Sequence, residues 1–309
     1  MVMASQQLRD VSLGKNPMIR SITAIDPAQI QPASFDCRLG KSVVAVSGSG
    51  IPGADERVED FIRKNWRYDF ELSSDKTNLL QVGQTYLIRL MEELSLPENY
   101  CAVFSPKSSV GRCDVFVRVV SDRCSFYDRT PYGYSGPLYA EVTPLSFDVR
   151  VREGLSLLQM RLKTRESRVL SNDKLVELHA KHGVVRHHGQ IMPHGNLRVS
   201  DNSIYFRIDL RRPIVGFEAR TRYETLDFTR TDHDPRDFWN PIRAPRNGEF
   251  FLDPERFYLF VTKEGICIPP ECCGEIAPYD TASGEFRAHY AGFFDNGFGG
   301  EMGTVGVLE

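Results

Sequence analysis

The chain has 309 residues, enough for two domains of ordinary size, and its 38 basic and 41 acidic side chains leave a net charge of −3. That balance removes the electrostatic footprint of a general nucleic-acid binder, though it leaves room for a local basic pocket. Mean hydropathy is −0.32, no long uncharged apolar run is present and the N-terminus lacks the apolar stretch of a secretory signal. Neither a membrane-spanning helix nor export is therefore expected. Seven cysteines, an odd number, then argue for free thiols in a reducing compartment, so a soluble, cytoplasmic protein is the expectation.

In chain order, the first period-2 run is "SVVAV" (42–46). "LGKS" (39–42) overlaps it and mimics the end of a phosphate-binding loop, but Phe35 stands where the first glycine belongs. "GSGIPG" (48–53) follows and has the spacing of a dinucleotide fingerprint. Such a site needs a helix opening at once in a βαβ unit, and Pro52 in β-rich surroundings makes a flexible loop the better reading. "QTYLIRLM" (84–91) comes next, then "PKSSVGR" (106–112), where Lys107, Ser108, Ser109 and Arg112 crowd four polar side chains into six positions. That cluster is either a solvated turn or a grip for an anion. "CDVFVRVV" (113–120), "PLYAEV" (137–142) and "FDVRVR" (147–152) continue the alternation, so the fold class expected is all-β, a sandwich or barrel of short strands. "SNDKLVELHAKHG" (171–183) is the best helix, with Ser171 or Asn172 to cap it and Gly183 to stop it. The histidines at 179, 182, 187, 188 and 194 lack cysteine or carboxylate partners at ligand spacing, so a solvated linker is read there and no metal site. "TDHDPRDF" (231–238) is read as a polar loop, and Cys272 and Cys273 as small core residues.

An internal repeat reorganises this picture. "YLIRLMEELSLPENYCAVFSP" (86–106) matches "YLFVTKEGICIPPECCGEIAP" (258–278): Tyr86 with Tyr258, Pro97 with Pro269 and Pro106 with Pro278, each 172 apart (258 − 86, 269 − 97, 278 − 106). "FDCR" (35–38) is set against "IDLR" (208–211), and "YDRTPYGYSG" (127–136) against "FDNGFGG" (294–300). Ser108, Ser109 and Arg112 become Asp280, Thr281 and Gly284, so chemistry needing serine and arginine together sits in the first copy. The expected layout is a catalytic repeat over 1–165 with its core from about 20, a helix and polar linker over 166–195, and a degenerate repeat over 196–309. Glu309 in "VGVLE" answers Glu141 in "YAEV", and "REGLSLLQMRL" has no counterpart after it, so a second copy truncated at its C-terminal end is expected.

"IQPASFDCRLG" (30–40), "SPKSSVGR" (105–112), "YDRTPYGYSGPLYAEV" (127–142) and "REGLSLLQMRL" (152–162) resemble, in order and spacing, the successive motifs of dCTP deaminases, which share a trimeric β-fold superfamily with the dUTPases. The double length is similar to the long bacterial form. By that resemblance, Glu141 is the carboxylate that activates the water attacking C4 of cytosine, and Arg112 and Ser108 position the water and stabilise the departing ammonia. Lys107, Ser109 and Gln159 are implied contacts to a triphosphate that travels with Mg²⁺. Asp128 and Tyr134 fall where the family holds deoxyribose, with three more residues between them than between Asp295 and Phe298. Lysine at 107, where arginine is common, gives a point charge instead of a fork.

The residues agree with that chemistry. One carboxyl group can take a proton from water and later deliver it to the leaving amine. Mid-strand placement would raise the pKa of Glu141 by desolvation, and Arg112 nearby would pull it back. The zinc route for base deamination needs H-x-E and P-C-x-x-C; no histidine here begins H-x-E, and "PPECC" is not P-C-x-x-C. The expected reaction is therefore hydrolysis of dCTP to dUTP and ammonia with Mg²⁺ and no zinc, feeding dUMP and dTTP synthesis. Sites where subunits meet are implied, in a homo-oligomer of three chains or two, with dTTP as an inhibitor known in the family. A dUTP diphosphatase, or a bifunctional enzyme running dCTP through to dUMP, is the alternative, with Asp128 as its water-activating candidate. A non-catalytic deoxynucleotide sensor stands third, since it would have no need of Glu141 and Arg112 together.

Overall fold

A computed structural model of the protein describes residues 2–220, 224–277 and 292–309. Its tertiary contacts divide the chain into two units, Met1–Ser167 with Thr221–Asp237, and Arg168–Arg220 with Phe238–Glu309. Both are mainly β, as the alternation predicts.

Unit one runs α1 (Ser5–Leu13), β1 (Ile19–Ser21), β2 (Phe35–Cys37), β3 (Leu39–Val46), α2 (Val58–Asn65), β4 (Trp66–Glu71), β5 (Asn78–Leu80), β6 (Thr85–Ser95), β7 (Tyr100–Pro106), α3 (Ser108–Gly111), β8 (Val115–Ser121), β9 (Ser135–Pro144), β10 (Val149–Val151) and β11 (Leu158–Thr164). One sheet has the order β4-β3-β6-β9-β8 with β1 added on β6, and another the order β2-β11-β7. Side chains alternate across a strand, so each sheet has one face for the core and one turned away from it. Leu138, Ala140 and Val142 of β9 pack with Leu158, Met160 and Leu162 of β11, Phe35 and Cys37 of β2, and Ala102 and Phe104 of β7 in one buried cluster. Tyr139 of β9 turns the other way and joins Val46, Val58, Leu87 and Val120 in a second cluster, against which Ile51, Phe61, Ile62 and Tyr127 pack. Glu141 shares the parity of Tyr139. Asp36 and Gln159 alternate with core residues on the other sheet, so they and Glu141 lie on faces turned away from opposite sides of the shared core. α1 and α2 are too short to leave a clear period: only Leu8 and Ser12 of α1, and Val58 of α2, are buried.

Unit two contributes α4 (Asn172–His182), β12 (Val185–His187), β13 (Gln190–Ile191), β14 (Val199–Ser200), β15 (Ser203–Ile204) and β16 (Ile214–Ala219). β17 (Leu226–Asp227) counts with unit one, and α5 (Pro235–Phe238), β18 (Trp239–Arg243), β19 (Tyr258–Ile266), β20 (Gly274–Glu275), β21 (Phe293–Phe294) and β22 (Thr304–Leu308) follow. The main sheet has the order β13-β12-β19-β16-β18 with β22 on β19. The helix read as part of a linker is packed: buried His179 bonds Met192 O through Nε2 at 2.8 Å and accepts from Val185 N at 3.2 Å. Its predicted ends stand, with Ser171 capping and Gly183 in the left-handed region at φ 66°.

The two units repeat each other bond by bond. Tyr86 Oη accepts from Gln81 N at 3.0 Å and Tyr258 Oη from Asp253 N at 3.1 Å, both pairs 172 apart (258 − 86, 253 − 81). Pro97 O accepts from Tyr100 N, as Pro269 O does from Cys272 N. Glu92 takes the backbone N and Nε of Arg38 at 2.6 and 2.9 Å; Glu264 takes those of Arg207 at 3.0 and 2.6 Å. Arg207, and not Arg211 of "IDLR", is therefore the counterpart of Arg38, because a buried carboxylate fixes the register more firmly than a likeness of letters. Phe104 N bonds Asp128 O as Ile276 N bonds Gly292 O, so Gly292, not Asp295, stands where Asp128 does. Leu96 N to Tyr134 O likewise answers Ile268 N to Phe298 O. β22 lies on β19 at Phe260↔Leu308 and Val261↔Val307, as β9 lies on β6 at Ile88↔Ala140 and Arg89↔Tyr139. One step along that ladder puts Glu309 in the place of Glu141. Pro278, Asp280, Thr281 and Gly284 lie outside the described residues.

Candidate active site

Glu141 sits on β9 between Leu87 of β6 and Arg118 of β8, and none of its surface is exposed. Its carboxylate is nonetheless bonded. Ser49 Oγ donates to Oε1 at 2.6 Å and Gly50 N–H to Oε2 at 3.2 Å, while the Tyr127 hydroxyl bonds it and also lies 2.9 Å from Ser49 Oγ. Ser49 and Gly50 come from the loop between β3 and α2, and Tyr127 from the loop between β8 and β9. Gly50 is needed for the approach, since a Cβ there would lie 2.8 Å from the ring of Phe61. Burial raises the pKa of Glu141 above the usual glutamate value, and the bonds from Ser49, Gly50 and Tyr127, with the charge of Arg118, oppose the rise.

The guanidinium beside Glu141 is thus that of Arg118, where the sequence reading placed Arg112. The ladder explains it, because Arg118 is the cross-strand neighbour of Glu141 while Arg112 is an exposed residue at the end of α3. Arg118 also pairs with Asp128 and lies 4.4 Å over the ring of Tyr127. Asp128 takes φ 58° and accepts from Val119 N at 2.8 Å; burial raises its pKa, against the lowering by Arg118.

A second group forms on the other sheet. Lys107 pairs with Asp36, which is register partner to Gln159, and Ser34 Oγ donates to Gln159 Oε1 at 3.1 Å. Burial raises the Asp36 pKa and Lys107 opposes it. Ser108 is half-buried on α3 and Ser109 is exposed there. Lys107, Asp36 and Gln159 therefore come together, but not with Glu141. Tyr134 joins neither group. It is a core residue whose hydroxyl donates to Pro137 O at 2.6 Å and accepts from Asp122 N at 3.3 Å, so both its roles are already filled, and phenylalanine suffices at 298. A sugar contact from Tyr134 is not what this packing offers.

The sequence reading missed Ser49, Gly50, Arg118 and Tyr127. Ser49 is 92 residues from Glu141, and only the strand order brings them together. "GSGIPG", read as a flexible loop, is what closes on the carboxylate. A separate hollow of about 530 Å³, lined by Gln81–Gln84, Asp148, Glu224 and Thr225, carries two acids and no cation, which suits a triphosphate poorly.

Comparison with known proteins follows the same division. Residues 1–166 match the family described as the 2'-deoxycytidine 5'-triphosphate deaminase (DCD) N-terminal domain, and residues 171–309 the corresponding C-terminal domain. The crystal structure of 2'-deoxycytidine 5'-triphosphate deaminase from Agrobacterium tumefaciens superposes with a TM-score of 0.91 at 35% identity, over 99% of this chain and 88% of that one. Proteins named dCTP deaminase, dUMP-forming, are similar over just under half of this chain. That of Streptomyces griseus is 27% identical over 142 residues (46% of this chain, 70% of that one), and that of Methanospirillum hungatei 29% over 146 (47% and 73%). The chain belongs to the 2'-deoxycytidine 5'-triphosphate deaminase family of enzymes.

Proposed function

We propose that this chain hydrolyses dCTP to dUTP and ammonia, with Glu141 moving the protons. The observation that carries the reading is a fully buried carboxylate, raised in pKa by burial, and set among hydroxyl, amide and guanidinium donors. Water loses a proton to Glu141 and adds its oxygen to C4. Glu141 returns the proton to the amino nitrogen, the C4–N bond breaks, and ammonia leaves with the electron pair. Arg112 and Ser108 are the proposed positioning groups for water and leaving amine, and Lys107, Ser109 and Gln159 the contacts to the triphosphate. Asp128 is proposed to hold the deoxyribose edge; Tyr134 supports the wall behind it. Mg²⁺ enters as part of the nucleotide substrate.

Glu141 and the Lys107 group lie on faces turned away from each other. A complete site therefore draws on a second copy, which supports a homo-oligomer, a trimer or a dimer. dTTP, with the same sugar and triphosphate, is the proposed competing ligand. The odd count of seven cysteines supports a reducing, cytoplasmic setting.

A second reading carries dUTP on to dUMP and pyrophosphate. It is favoured by the dUMP-forming relatives and by Asp128, a second carboxyl of raised pKa beside the first. Incubation with dCTP and Mg²⁺, with products separated by ion exchange, decides. dUTP with ammonia supports the first reading, dUMP with pyrophosphate the second, and unchanged dCTP contradicts both.

A further inference from the structure

A base that activates water has to touch it, yet no surface of Glu141 is exposed. What covers its carboxylate includes the hydroxyl of an otherwise exposed serine. Ser49 Oγ lies 2.6 Å from Glu141 Oε1 and 2.9 Å from Tyr127 Oη. A single oxygen bonded at hydrogen-bond distance to a carboxylate on one side and a phenol on the other occupies a place that a water would fill equally well. The loop that brings it there is open only at its start: Gly48 and Ser49 are exposed, and a Cβ on Gly48 would have no atom within 4 Å. Its far end is tied, with Pro52 buried, Gly53 N donating to Glu56 Oε2 at 3.3 Å and Gly53 O accepting from Glu56 N at 3.0 Å, so that end serves as the pivot. Tyr127, by contrast, is fixed from outside the loop by the guanidinium of Arg118 stacked on its ring, itself tied to Asp128.

We propose that Ser49 Oγ stands in the seat of the attacking water, that Tyr127 is a further group holding that water, and that the 48–53 loop withdraws when dCTP binds. The proposal rests on Glu141 as the base. Its consequence is that two side chains in one hydrogen-bonded network act with opposite sign. Tyr127 stays with the water and supports turnover, whereas Ser49 competes with it and taxes substrate binding by the fraction of closed loop.

Steady-state kinetics of Tyr127→Phe and Ser49→Ala with dCTP and Mg²⁺ test this, alongside hydrogen exchange of the loop in Glu141→Gln with and without saturating dCTP. Tyr127→Phe is expected to lower kcat about tenfold or more with KM within about twofold. Ser49→Ala is expected to lower KM several-fold, with kcat within about twofold. Amide exchange at 48–53 is expected to speed up when nucleotide fills Glu141→Gln. A fall in kcat in both variants would mark the network as rigid scaffolding, and a fall in Ser49→Ala alone would put that serine in the chemistry; either overturns the proposal. So does loop exchange that nucleotide leaves unchanged or slows. Retained turnover by Glu141→Gln would fail the base assignment itself, a result distinct from the others.

Discussion

The two units keep the same skeleton and differ in what they do with one loop. In unit one the stretch between β3 and β4 folds back over its own sheet, puts Ser49 and Gly50 on Glu141, and supplies α2 as a lid for the second cluster. In the second copy the stretch between β16 and β18 is spent elsewhere. Leu226 and Asp227 pair in parallel with Val149 and Arg150 of β10, and Leu226 and Phe228 pack on the core of unit one. Where Asp128 stands in the first copy there is Gly292 in the second. The buried fork that fixes the fold, Arg38 on Glu92 and Arg207 on Glu264, survives in both. Scaffold contacts are set by backbone register and persist, and register also carries a glutamate to the same place in both copies, Glu141 and Glu309; what differs is the loop laid over it.

The largest stability effect should come from that fork. Glu92→Ala leaves Arg38 and Gln29 facing an empty buried site and should cost unit one about 3–5 kcal/mol. Glu264→Ala should cost unit two about 1–2 kcal/mol, because the Arg207 side chain is 53% exposed against 14% for Arg38 and water can take over its bonds. Hydrogen exchange resolved by unit reads both, since a two-domain chain has no single unfolding free energy. Equal costs would break the comparison. Leu226→Ala should then weaken unit one by about 1–2 kcal/mol and leave the core of unit two unchanged, although residue 226 belongs to the second sequence repeat.

Titration gives a subtler contrast. The Glu141 carboxyl is held above its unfolded-state pKa, so ionising it costs the folded state more than the unfolded one. Its contribution to stability is lost as pH rises from the ordinary glutamate value of about 4.3 through the raised native value, and is restored below both. Glu141→Gln should accordingly melt higher than the parent at pH 7, a gain that vanishes in acid. Since the base must be ionised, kcat/KM, which reports the free enzyme, should fall on the acid side with a midpoint above about 4.3. A midpoint at or below that value would contradict the burial argument. The smallest effect belongs to the cap of α4, where Ser171→Ala removes an acceptor from Lys174 N and should cost about 1 kcal/mol or less by thermal melting.

Much of this was legible in the sequence, and the limits have physical causes. Alternation located β3, β6, β8 and β9, because half-buried strands write their parity into the chain. The helix from 172 to 182 announced both ends through Ser171 and Gly183. Glu141 was singled out through resemblance and its desolvation through mid-strand placement, while its parity set it on the face turned from the main core. The neighbours that tune it were not legible: Arg118, Tyr127 and Ser49 meet Glu141 only through ladder register and loop closure, neither of which has a local signature. Pairing Arg38 with Arg211 failed for a related reason. Letters four residues out of register looked alike, and only the buried carboxylate tells Arg207 from Arg211.

The central claim is that the buried carboxylate of unit one performs the deamination. Ammonia release from dCTP under single-turnover conditions, compared between the parent and Glu141→Gln with nucleotide binding measured in parallel, tests it most directly. A loss of at least about a hundredfold in the rate, with dCTP still bound, is the predicted result. Ammonia released at near the parental rate would contradict the account and move the chemistry to another group.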